Sequence, residues 1–180
     1  MVTTSEWNEI REGLRARDAQ ELRRAAVRVS KVKAGRLPED IADELLNLFV
    51  HPEPDVRAEA IFAVGLHWRL PRTLKSISEV LERDDDWHVQ LRAISALGAI
   101  GLEHIGTKCF VGKVLARVVL NDRFADNERM TAYIELQHVE GRISFKEALR
   151  RDQRLPDKLT DFEIDREWVE SLARRECPEP

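Results

Sequence analysis

From Val56 onward, apolar residues return at Ala60, Ile61, Ala63 and Val64. At about 100° per residue these fall within one arc of about 160°, the stripe of an amphipathic helix. Thirty-three residues later Val89, Ala93, Ile94, Ala96 and Leu97 trace the same stripe. The same shift lays Arg36-Leu37-Pro38 on Arg69-Leu70-Pro71, Leu48 on Leu81, and Gly65 on Gly98. So many identities in one register predict a structural repeat, and a repeat decides architecture before any single element does.

Each unit reads as two helices. Pro38 suits a first helical turn, and Ile41, Leu45 and Leu48 follow at helical spacing. The run His51-Pro52-Glu53-Pro54-Asp55 breaks that helix, and a second runs from about Val56 to Trp68. The next unit repeats the plan over Pro71 to Leu81, a turn at Asp84-Asp85-Asp86, and Val89 to Ile100. The template persists more weakly at Leu22, Ala26 and Val27, after the capping-box spacing of Asp18 to Glu21, and at Arg129, Ala132 and Leu136. First helices are predicted near Glu6, Pro38, Pro71 and Phe110. Ser144 and Glu147 open a further short helix, and a last helix holds Trp168, Val169 and Leu172. The expected fold is one all-α domain, a right-handed solenoid of antiparallel helix pairs over about 5–36, 37–69, 70–102 and 103–141. An irregular helical cap follows over 142–180.

Composition narrows the class. At 180 residues, 43% apolar and 34% charged, the chain is neither disordered nor membrane-embedded, and no apolar run nears the roughly 20 residues of a spanning helix. Residues Met1 to Glu6 carry no secretion signal, and Cys109 and Cys177 lie far apart in sequence. Reduced thiols and a cytoplasmic location are therefore expected. The net charge of −4 conceals an asymmetry: nine Arg or Lys stand against three acids between Arg11 and Arg36.

The stretches Asp55-Val56-Arg57-Ala58-Glu59-Ala60-Ile61-Phe62-Ala63-Val64-Gly65 and His88-Val89-Gln90-Leu91-Arg92-Ala93-Ile94-Ser95-Ala96-Leu97-Gly98 resemble the second helix of HEAT repeats. They are closest in style to the short HEAT-like repeats first described in phycobilisome lyases. The resemblance covers 37–102 well, 5–36 and 103–141 weakly, and 142–180 not at all. It implies that second helices line a concave groove. It also implies that Arg57, and in the same phase Arg23, Gln90 and Arg129, bond acidic groups such as Asp55 and Asp84–Asp86.

On that footing the groove receives Arg24, Arg28 and Lys31 from the first unit; Ala58, Phe62 and Gly65 from the second; Leu91, Ser95 and Gly98 from the third; and Met130, Ile134 and Gln137 from the fourth. A row of outward apolar residues marks a contact surface. The alternative is that the segment after Gly141 folds back and covers Phe62, Leu91, Met130 and Ile134 as ordinary core. Trp68 and Trp87 flank the ends of second helices, where a tryptophan covers a core edge or anchors a partner; Trp87 joins the candidate binding residues.

No catalytic constellation is visible. No two histidines stand three or four apart, no glycine-rich phosphate loop or nucleophile elbow occurs, and Asp84–Asp86 read as helix caps. No cofactor, no metal and no enzymatic activity is expected. The expected function is to bind another macromolecule, most simply a protein, as an adaptor or as an inhibitor of the immunity-protein kind. The second reading is nucleic-acid binding through the Arg11–Arg36 region, with HEAT-like DNA glycosylases as its enzymatic extreme. The overall negative charge opposes it.

Overall fold

Side-chain caps set where the helices begin. In the computed structural model, which describes residues 3–32 and 35–178, Thr3 and Glu6 form a reciprocal capping box at the start of α1 (Thr4–Leu14). Asp18 accepts from the Glu21 N–H at the head of α2 (Ala19–Lys31), as its spacing predicts. Asp86 accepts from His88 and Val89 at the head of α6 (Trp87–Glu103). Ser144 and Asp165 do the same for α9 (Phe145–Asp152) and α10 (Arg166–Ala173). Between these lie α3 (Glu39–Asn47), α4 (Pro54–Ile61), α5 (Leu74–Arg83), α7 (Lys108–Leu120) and α8 (Asp126–Val139). No strand occurs among the described residues.

The second helices α2, α4, α6 and α8 pack each on the next, and α9 follows on α8. In the other row α1 meets α3, and α10 lies against α7. The predicted stripe is the core: Val56, Ala60, Ile61, Ala63 and Val64 are buried, and so are Val89, Ala93, Ile94, Ala96 and Leu97. Alanine and glycine let the second helices approach closely. A Cβ at Gly65 would lie 2.5 Å from the Ala96 Cβ. Here the structure departs from the expected groove, because Ala58, Gly65 and Gly98 are buried in these helix-to-helix contacts.

Helix α4 continues as a π-helical segment, Phe62–His67, and ends at Arg69, whose φ of 47° lies in the left-handed region. A non-glycine residue costs free energy there. The Arg69 carbonyl accepts from His104 Nε2 at 2.8 Å, and its guanidinium meets Glu103 at 2.6 Å. His67 Nε2 reaches the Val32 carbonyl at 2.7 Å in the same way, so two histidines 37 residues apart tie successive units together. Trp68 is also structural, its indole N–H donating to the Val29 carbonyl at 3.2 Å.

One expectation is overturned. Cys109 and Cys177 form a disulfide, with Cα atoms 5.6 Å apart across 68 residues of sequence. Because α10 runs along α7, the tail returns to the start of α7, and separation along the chain says nothing of that. The expected cytoplasmic location loses the support it drew from reduced thiols. No helix of the described residues is long and apolar enough to cross a membrane.

Candidate interaction surface

The turns before α4, α6 and α8 are held by a ladder built largely of guanidiniums. Arg57 donates to both oxygens of Asp84, at 2.6 and 2.8 Å, and to the carbonyls of His51 and Pro52. Those bonds strengthen the arginine's hold on its proton and consume Asp84. Arg23 lies 3.5 Å from Asp55, Gln90 donates to the Asp84 carbonyl at 2.7 Å, and Arg129 reaches the Val119 carbonyl and Asp122. Asp85 meets Arg123 at 3.1 Å. The acidic turn is thus spent on caps and cross-unit bonds. A recess of about 620 Å³ opens beside it, lined in part by Phe49, Val50 and Val80.

The ladder fixes the phase of the second helices and so what they show on the other side. Arg24, Arg28 and Lys31 are exposed on α2. Arg28 pairs with Glu9 at 2.8 Å. The basic segment as a whole is less cationic than its sequence suggests. Arg11, Arg15, Arg23, Arg28 and Arg36, five of its nine bases, pair with acids, Asp40, Glu44 and Asp55 among them. Lys33 lies outside the described residues.

Further along the row, Phe62, Leu91 and Ser95 are half-buried. Phe62 stands apart from the main core, with the Arg92 guanidinium 4.8 Å over its ring. Trp87, in the first turn of α6, is 62% exposed beside the His88 ring. The fourth unit corrects the expectation: Met130 and Ile134 are only 1% and 3% exposed, and Gln137 is buried. Arg151 of α9 donates to Gln137, and Ala148 of α9 lines the same cavity as Ile134. The C-terminal segment therefore covers the α8 end of the row but leaves Phe62 and Leu91 partly open.

In doing so α9 supplies a surface of its own. Phe145 and Leu149, one turn apart, are 70% and 47% exposed. With Ser95, Glu135, His138 and Asp152 they line a cavity of about 120 Å³ between α6, α8 and α9. Burial and the charge of Asp152 push the Glu135 carboxyl up to about 7, and burial lowers the pKa of His138. None of Glu135, His138, Phe145, Leu149 or Asp152 stands out in the sequence. The one available signal was the i, i+4 spacing of Phe145 and Leu149 after the Ser144 cap, which reads equally well as an inward stripe.

The row of close-packed second helices with its recurring Arg–Asp ladder agrees with the family comparison: the model for HEAT repeats matches residues 42–137, just over half of the chain. The chain belongs to the HEAT-repeat family. No curated protein and no solved structure matches it. The HEAT match runs from within α3 to α8 and stops two residues short of the end of α8, so α9 and the cavity mouth it forms lie beyond it.

Proposed function

We propose that this HEAT-repeat chain is a non-enzymatic binding module, an adaptor or an inhibitor. In this reading its helix pairs stack in antiparallel fashion as a right-handed solenoid. The second-helix row is then its concave wall, and the occupant of that wall is another protein. One observation carries the reading. Phe62 and Leu91 stand partly open on the row, and Ser95, one turn beyond Leu91, lines the same cavity as the exposed Phe145 and Leu149. Large apolar side chains outside the core, in a row on one wall, supply desolvation energy to a partner; Arg24, Arg28 and Lys31 at the far end would chiefly raise its association rate.

The test is affinity capture from the source cell with the wild type and with the Phe62→Ala, Leu91→Ala double variant. A protein retained by the first and lost by the second, at matched thermal stability, supports the wall. Equal capture by both defeats it. A heparin column run on the same preparations separates the nucleic-acid reading. With five of nine N-terminal bases paired to acids, elution at low salt is expected.

A further inference from the structure

The cavity between α6, α8 and α9 is lined by two carboxylates, Glu135 and Asp152, together with Ser95, Thr131 and His138, and no lysine or arginine lines it. Glu135 makes no hydrogen bond or ion pair among the described residues, although it is half-buried and burial raises its pKa. Its carboxylate rests directly on Gly98, where an added Cβ would come within 2.2 Å of Oε2, so the site exists because residue 98 has no side chain. His138 brings no compensating charge, since burial keeps its imidazole neutral near pH 7. A carboxylate partly withdrawn from water with no partner is costly and is ordinarily met by a counter-charge.

We infer that this cavity receives a single cationic side chain, the ammonium of a lysine or the guanidinium of an arginine, presented by a protein partner on the concave wall. The inference rests on reading that wall as a docking surface. A volume of about 120 Å³ admits a side-chain head group, well short of the ~300–1,000 Å³ of small-molecule sites. Phe145 and Leu149 at the mouth suit the alkyl stem of such a residue, and the Phe145 ring face attracts a cation. A metal ion fits less well, because no group of three or more His, Cys, Asp or Glu among the described residues is arranged to hold one.

The test titrates the full chain at pH 7.5 with the N-acetyl methylamides of arginine and lysine, following backbone amides by NMR. The neutral citrulline analogue serves as comparator. Saturable shifts at Gly98, Thr131, Glu135 and Leu149 are expected with the cations and not with citrulline. Glu135→Gln should weaken binding about tenfold or more, the scale of one charge-assisted bond, with no fall in melting temperature. Asp152→Asn should weaken it less. Lowering the pH to 5.5 should also weaken binding, as Glu135 takes up a proton; the other ionisable side chains on the cavity are His138 of α8 and Asp152 of α9, and Ser95, from α6, does not titrate. Equal binding of citrulline, no saturable shift, or full binding by Glu135→Gln would overturn the inference. Spermidine binding more tightly than the arginine analogue, and without Phe145, would overturn the partner side chain in favour of a free cation. Phe62→Ala with Leu91→Ala should leave these titrations unchanged, so a failed cavity and a failed wall are told apart.

Discussion

Helices α6 and α9 occupy comparable places, each packed on the preceding second helix, but they are built differently. Helix α6 buries Val89, Ala93, Ile94, Ala96, Leu97 and Ile100 and meets its neighbours through alanine and glycine. Helix α9 buries Ala148 alone and turns Phe145 and Leu149 outward. A repeat helix is gripped from both sides and closes flush. The last helix of the row is gripped from one side, and its imperfect fit leaves the cavity over Glu135. In this molecule regular packing makes the scaffold, and the irregular end makes the chemically distinctive recess. That contrast can be broken at the cap, at the seam, or within the repeat.

The largest effect is expected at the cap. The Cys109–Cys177 disulfide closes a loop of 68 residues, and by chain entropy such a crosslink is worth about 4 kcal/mol. Cys109→Ser with Cys177→Ser, or a reducing agent, should therefore lower the melting temperature by roughly 10 °C in a chain of this size. Val169 and Leu172 remain buried and the Arg175–Glu140 pair remains in place, so helix content should survive. A melting temperature indifferent to both treatments would show that the cap owes nothing to the crosslink.

The seam between α8 and α9 comes next. Glu135 is raised from 4.5 to about 7 in the folded chain, first by burial and then by Asp152. The folded state thus holds its proton more tightly than the unfolded one. Its contribution to stability is therefore greatest below pH 4.5, falls as the pH rises toward 7, and levels off above. The loss is on the order of 3 kcal/mol. Glu135→Gln removes the charge, so its melting temperature should match the wild type near pH 4.5 and exceed it increasingly up to pH 7.5. A constant offset across that range would mean that Glu135 is solvated in the folded state.

Sequence alone made the repeat legible because a shared core stripe leaves identities: Ala60, Ala63, Ala93 and Ala96 recur in register and are all buried. The ladder of Arg23, Arg57, Gln90 and Arg129 was legible through the resemblance to HEAT-like repeats, in which this phase bonds acidic groups. The cap was not. Its elements could be placed from Ser144, Glu147 and Leu172, but which face of α9 meets α8 depends on one asymmetric contact with no second copy to compare. For Met130 and Ile134 the covered alternative holds, because the groove phase of α4 and α6 does not carry over to a helix packed beneath a different neighbour. The disulfide was missed because proximity in space follows from α10 docking on α7, which the chain order does not reveal.

The smallest effects compare two faces of the same row. Ala93 is fully buried where α6 meets its neighbours, so Ala93→Leu must force the helices apart and should cost about 1–3 kcal/mol. Phe62 is the larger residue, yet it is half-buried outside the main core, beneath the Arg92 guanidinium. Its truncation forfeits one cation–π contact and some shielded area, which should cost under about 1 kcal/mol. A phenylalanine covered as core would instead cost about 3–5 kcal/mol. At this chain length the two cases differ by roughly 5 °C or more in melting temperature. The small substitution should therefore destabilise more than the large truncation. The reverse order would place Phe62 in the core and remove it from the wall, while an Ala93→Leu variant as stable as the wild type would show that the second helices pack more loosely than their alanines imply.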